Sequence, residues 1–121
     1  MIFKTDNREF ALHTNRTTYA FRVLKTGQLE HLYYGKKINI ESFAPLMERH
    51  TFMPGNTVAY NQEELSYSLE NMRLEMSSYG KGDIREPFVE VVGSDGGYTN
   101  DFVFRSASIE KGKEKFDTLP G

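Results

Sequence analysis

The sequence predicts an all-β fold: an antiparallel β-sandwich, or one part of a larger supersandwich, with at most one short helix. Three observations carry this. Apolar and polar residues alternate with period two in several short runs, glycine-rich turn signals separate those runs, and no long stretch keeps the 3.6-residue period of an amphipathic helix.

Phe10-Ala11-Leu12-His13 follows the polar turn signal Asp6-Asn7-Arg8-Glu9. Residues 17–24 place Tyr19, Phe21 and Val23 on one face and Thr18, Ala20 and Arg22 on the other, the pattern of a half-buried strand. Lys25-Thr26-Gly27-Gln28 supplies a tight turn with glycine where a positive φ is needed. Leu29, His31 and Tyr33 then alternate with Glu30, Leu32 and Tyr34, so 17–24 and 29–34 form the best hairpin in the chain. Residues 39–64 hold Pro45, Pro54 and Gly55 and keep no period, which marks a long irregular connection. Leu65, Leu69, Met72 and Met76 sit near helical spacing, and Gly80 and Gly82 stop any helix there. Residues 88–92 and 102–109 read as two further strands around the turn Gly93-Ser94-Asp95-Gly96-Gly97. The count is five or six strands, packed as a sandwich.

A chain of 121 residues fits one domain, or the N-terminal part of one. Nine Phe and seven Tyr offset a modest 38% hydrophobic content. The formal net charge is −2 with no basic block, which argues against a nucleic-acid partner. With no cysteine, disulfides, thiolate catalysis and Cys-ligated zinc are excluded. No signal-type apolar region opens the chain, and no apolar run nears the ~20 residues of a membrane helix. The expectation is a cytoplasmic chain with no membrane partner.

Candidate chemistry is sparse. His13, His31 and His50 lack ligand spacing, so no metal is expected. Glu63 and Glu64 are adjacent in a polar stretch, and Asp83 and Glu86 flank Arg85, where an ion pair or turn cap accounts for them. Glycosidase chemistry needs two carboxylates about 5–10 Å apart, and no such pair is evident. There is neither a Gly-x-Ser-x-Gly elbow nor a Walker loop, and 93–97 joins two strands rather than a strand and a helix, so no cofactor is expected. Tyr33, Tyr34 and Tyr79 offer aromatic faces for a sugar ring. Consecutive strand residues point to opposite faces, however, so one of Tyr33 and Tyr34 packs inward.

Several stretches together resemble the opening of bacterial α-galactosidases of glycoside hydrolase family 36. These are Thr18-Tyr19, Gly27-Gln28-Leu29, His31-Leu32-Tyr33-Tyr34-Gly35-Lys36-Lys37, Tyr67-Ser68-Leu69-Glu70, Tyr79-Gly80-Lys81-Gly82-Asp83-Ile84-Arg85-Glu86-Pro87, Lys111-Gly112-Lys113 and Leu119-Pro120-Gly121. The resemblance implies the first part of an N-terminal β-sandwich domain. In the parent enzyme this precedes a (β/α)8 barrel that hydrolyses terminal α-galactosides such as melibiose and raffinose with retention. Both catalytic carboxylates belong to the barrel, so this segment, whether excised or truncated, is expected to be inactive alone. Its implied partners are that barrel and neighbouring subunits of an oligomer. The resemblance also implies a sugar contact at a neighbouring subunit's site by Glu48 and Arg49, in Phe43-Ala44-Pro45-Leu46-Met47-Glu48-Arg49, with an exposed Glu–Arg loop as the plain alternative. Asp83 and Arg85 are implied as a structural motif. Ile84 stands where the family has Phe, Glu114 where it has Pro, and Glu48 where it has Asp, one residue out of register. Two other functions stay open: an autonomous carbohydrate-binding module with a galactoside ligand, and a sugar-independent protein-interaction domain.

Overall fold

The computed structural model describes residues 2–5, 8–39, 41–47 and 58–112. Four strands, β1 (Ile2–Lys4), β2 (Glu9–His13), β3 (Thr17–Val23) and β4 (Leu29–Lys36), form one antiparallel sheet in the order β1-β2-β3-β4. The all-β, antiparallel class is therefore the observed one.

Hairpin loops set the register. At the β3–β4 loop Gly27 N–H donates to Leu24 O (2.9 Å) and Leu24 N–H to Gln28 O (2.8 Å), with Gly27 at φ +100°. A three-residue loop of this kind ends on a left-handed residue, which glycine adopts without a Cβ penalty. The β1–β2 loop closes in the same way: Arg8 N–H donates to Thr5 O (3.2 Å) and Thr5 N–H to Glu9 O (2.9 Å). There the left-handed residue is Arg8, at φ 59°.

In the β3–β4 ladder Ala20 faces Tyr33 while Phe21 faces His31, so Leu32 is an extra residue on β4. Such a bulge breaks the alternation. Leu32 and Tyr33 accordingly both pack with Ala11, Ala20 and Phe43 in one apolar cluster. A second cluster, Leu24, Tyr67, Leu69 and Met72, sits at the hairpin end with Tyr60 and Leu74 against it.

The free edge of β4 is partly closed. His31 N–H donates to Arg73 O (2.6 Å) and Glu75 N–H to Leu29 O (2.9 Å), which brings residues 73–75 alongside as an antiparallel bridge. The helical spacing of 65–76 yields only a one-turn 3-10 helix, Leu69–Asn71. A second 3-10 turn spans Ala44–Leu46.

Residues 88–92 and 102–109 do not form strands, contrary to the expectation from their alternation. Their reversal exists: Gly93 N–H donates to Gly97 O (2.8 Å) and Gly96 N–H to Gly93 O (2.9 Å). The arms on either side form no ladder among the described residues. A period-two pattern reports a strand with one buried face, yet here Phe88 is 74% exposed and Val103 55%.

Candidate functional site

Three polar constellations hold the irregular half of the chain to the sheet. The first is the cross-strand pair of Arg22 on β3 and Glu30 on β4, with Nε 2.6 Å from Oε2. Glu30 is buried, so its charge must be compensated locally. Arg22 uses a second nitrogen, Nη1, on Met47 Sδ (2.8 Å), and Arg73 Nη2 donates to Leu46 O (3.1 Å). Two arginines thus grip residues 46–47, while Phe43 plugs the apolar cluster just before them.

The second is Asp83–Arg85. Asp83 is buried and its Oδ1 accepts the Arg85 backbone N–H (3.1 Å), which closes a tight side-chain turn. The same carboxylate takes Arg85 Nε (2.8 Å) and Nη2 (2.7 Å) in a two-pronged pair. Arg85 then donates Nη1 to Met72 O (2.7 Å) and Nη2 to Leu69 O (3.0 Å). A guanidinium is the one side chain able to bridge a carboxylate and two carbonyls in a plane. It ties 83–85 to two carbonyls of the 3-10 turn and its C-cap, of which Leu69 O also accepts the Met72 N–H (3.0 Å).

The third centres on Gln28, buried at the foot of β4. Its Nε2 donates to Asp101 Oδ1 (2.7 Å) and Tyr60 OH (3.2 Å), and its Oε1 accepts from Thr26. Tyr60 OH donates to Asp101 Oδ2 (2.6 Å), and Thr26 and Tyr67 share a bond of 2.9 Å. Burial, and then the Asp101 carboxylate, hold the Tyr60 phenol neutral to higher pH than an ordinary tyrosine. Burial raises Tyr67 likewise. Phe104 N–H reaches Gly27 O (2.7 Å) beside this network, so the hairpin tip, residues 60–67 and residues 101–104 meet at one point.

An aromatic row crosses the other sheet face. Phe10 stacks on Phe21 (4.9 Å), Tyr19 lies 5.5 Å from Phe21, and Tyr34 meets Tyr19 edge-on at 6.3 Å. His31 Nδ1 pairs with Glu75 Oε1 (2.8 Å), and burial followed by Glu75 pushes the Tyr19 phenol well above its usual range. Phe104 folds over Phe10 and roofs an apolar recess of about 330 Å³ lined by Ile2, Phe10, Leu12, Phe21, Leu29, Phe104 and residues 106–109. Apart from the two serines at 106 and 108 the lining is apolar, and no ionisable side chain faces it. The described residues hold no cluster of three metal-type ligands, and no helix among them is long and apolar enough to cross a membrane.

Of the residues singled out in the sequence, Asp83 and Arg85 come together as an ion pair, while Glu48 and Arg49 lie outside the described residues. The Arg22–Glu30 pair escaped the sequence reading, although the hairpin register places the two opposite one another. The Gln28–Asp101 bond has no local signal at all, because 73 residues separate its ends.

The sequence profile of the glycosyl hydrolase family 36 N-terminal domain matches residues 27–121. The chain is similar to the bifunctional alpha-galactosidase/sucrose kinase AgaSK of Mediterraneibacter gnavus, 33% identical over 99% of this chain and 13% of that protein. It is 26% identical to alpha-galactosidase AgaA of Geobacillus stearothermophilus, over 98% of this chain and 16% of the relative. Among solved structures, the galactosidase domain of AgaSK superposes with a TM-score of 0.82 at 31% identity, covering 100% of this chain and 17% of that one. The Lactobacillus brevis alpha-galactosidase gives 0.70 at 28% identity, over 80% of this chain and 13% of that one. The chain therefore spans about one sixth or less of the proteins it matches.

Proposed function

We propose, on the premise that this chain belongs to the glycosyl hydrolase family 36 N-terminal domain family, that it is the non-catalytic opening of an α-galactosidase-like glycoside hydrolase. In this reading the parent enzyme releases terminal α-galactose from substrates such as melibiose and raffinose, in the cytoplasm. The chain supports its catalytic barrel and helps assemble its subunits. The observation that carries the reading is the match to solved galactosidase structures over the whole chain, at a TM-score of 0.82. The chemistry agrees with it: two recesses among the described residues are lined chiefly by apolar side chains, and the charges of Arg22, Glu30, Asp83 and Arg85 are spent on internal ties.

Glu48 and Arg49 are proposed as a sugar contact at a neighbouring subunit's site. The support is their position directly after Leu46–Met47, the residues that Arg73 and Arg22 hold. Asp83–Arg85 is proposed as a tie internal to the domain, since its partners are Leu69 and Met72 of the same chain.

The test is hydrolysis of p-nitrophenyl α-galactoside. The isolated chain is expected to give no turnover. The intact polypeptide that carries it should be active, and should lose activity or solubility when residues 1–121 are removed. Turnover by the isolated chain, or full activity after the deletion, overturns the reading. One observation favours a second reading as a sugar-binding module: Tyr34 is 71% exposed. Titration of the lone chain with galactose, melibiose and raffinose, followed by tyrosine fluorescence, decides this, and a saturable response would support the module.

A further inference from the structure

We infer that Asp95–Gly96 is a self-modifying site, at which the folded chain converts its own aspartate to isoaspartate through a cyclic imide. The inference stands apart from the enzymatic reading and needs only this chain's residues and water. An aspartyl carboxyl closes most readily on the main-chain nitrogen of the next residue when that residue is glycine, because no side chain blocks the approach. No other aspartate, and no asparagine, precedes a glycine in the sequence. A Cβ built on Gly96 would meet nothing within 4 Å, so the space for the ring is open. Residues 91–99 are exposed, and water reaches the site.

The turn sets up the reaction. Gly93 N–H to Gly97 O and Gly96 N–H to Gly93 O repeat the closure of the 24–28 loop, with Gly96 at φ 80°. Asp95 Oδ1 accepts the Gly97 N–H (2.9 Å), which folds the carboxyl back along its own chain. The glycines on either side leave room for it: a Cβ on Gly93 would lie 2.6 Å from Oδ1, and one on Gly97 3.1 Å from it. Holding the carboxyl against the backbone it attacks lowers the entropic cost of bringing the two together. Two other aspartates are held away from their own backbone nitrogen. Arg85 takes the Asp83 carboxylate, and Gln28 and Tyr60 take that of Asp101. The Gly96 nitrogen is restrained by its bond to Gly93 O (2.9 Å), and a bond at an exposed loop tip opens locally at little cost.

The step balances without oxidant or cofactor. Gly96 N bonds to Asp95 Cγ, and the amide proton and the carboxyl hydroxyl leave as water. A second water opens the ring. Attack at Cγ restores aspartate. Attack at the main-chain carbonyl carbon breaks its bond to nitrogen, and the chain then runs through Cβ and Cγ beside a free α-carboxylate. The turn has gained one backbone atom and no longer matches the spacing of its two closing bonds.

Ageing the intact polypeptide that carries this chain, warm and in mildly acidic buffer, tests the inference. Peptide mapping with electron-transfer fragmentation should find isoaspartate at position 95, with an imide precursor lighter by one water, and none at Asp83 or Asp101. Methyl transfer from S-adenosylmethionine by a protein isoaspartyl methyltransferase should label the same peptide. A linear peptide of residues 90–100 sets the reference rate, and the folded chain should react at least as fast. Asp95→Glu, whose ring would be one atom larger, should fall to background, while Asp95→Asn, which expels ammonia, should react faster. A folded chain without isoaspartate at 95, or slower than the linear peptide, overturns the inference, because the Gly96–Gly93 bond then protects the site. Equal conversion at Asp101 overturns it too, since the turn would then confer nothing.

Discussion

Arg22 and Glu30 stand opposite one another in the β3–β4 register, 2.6 Å apart, with Glu30 only 2% exposed. Removing Glu30 leaves the partly buried Arg22 guanidinium without its carboxylate. Glu30→Ala is expected to destabilise the fold by about 3 kcal/mol. Arg22→Met combined with Glu30→Met removes both charges and should recover most of the loss. Urea denaturation of the single and double variants checks this.

The two three-residue hairpin loops make opposite predictions. At Gly27, φ is +100° and an added Cβ would lie 3.0 Å from Val103 Cβ, so Gly27→Ala should cost about 2 kcal/mol. At Arg8 the same loop position carries a side chain at φ 59°. Arg8→Gly relieves that strain and should stabilise by about 0.5–1 kcal/mol, net of the added chain entropy. Thermal melts of both variants read the two signs directly.

Gly80 and Gly96 separate crowding from backbone strain. Both have positive φ, but a Cβ at Gly80 would sit 2.7 Å from Thr99 Cα, while at Gly96 it meets nothing within 4 Å. Gly96→Ala is expected to lose only about 1 kcal/mol. Gly80→Ala should lose at least twice that, with Asn100 N–H released from Tyr79 O as seen by amide exchange.

Arg85→Lys keeps the charge and removes the fork. A lysine cannot hold both Asp83 oxygens and the Leu69 and Met72 carbonyls, so about 1–2 kcal/mol should be lost, close to the loss for Arg85→Ala. Near-wild-type stability of the lysine variant would mean that charge, not geometry, matters at this position. Chemical denaturation of both variants is the measurement.

Alkaline pH should weaken the fold. Folding raises Tyr19, Tyr60 and Tyr67 above their ordinary value of 10.0, chiefly by burial, so the native state favours the neutral phenols. Their stabilising contribution is complete below pH 10 and falls away as pH rises above it. Circular dichroism across that range should show the loss, and Tyr19→Phe with Tyr60→Phe should flatten it.

Local pattern and long-range contact differ in how far the sequence revealed them. The β3–β4 hairpin was legible because Gly27, the alternation of 17–24 and the aromatic content all agree on it. The Asp83–Arg85 turn was legible because an aspartate two residues before an arginine can close it locally. Residues 88–92 and 102–109 carry the same alternation as β3 yet make no ladder here, because alternation reports a face to be buried and not the strand that buries it. β1, three residues long, is too short to show a period. The Gln28–Tyr60–Asp101 network was invisible because amide, phenol and carboxylate from three distant segments share one buried point only after folding.

The strand order has a consequence for how the chain is made. Every ladder in the sheet joins sequence neighbours, so residues 1–36 can pair as they leave the ribosome without waiting for anything downstream. The Gln28–Asp101 tie must wait for 73 further residues of synthesis. During that interval the Gln28 amide is hydrated, and the Leu24 end of the hairpin lacks its cover of Tyr67, Leu69 and Met72. Assembly therefore runs in two stages, a meander first and its cap second, and the interval between them is when a chaperone or a premature partner has most to grip.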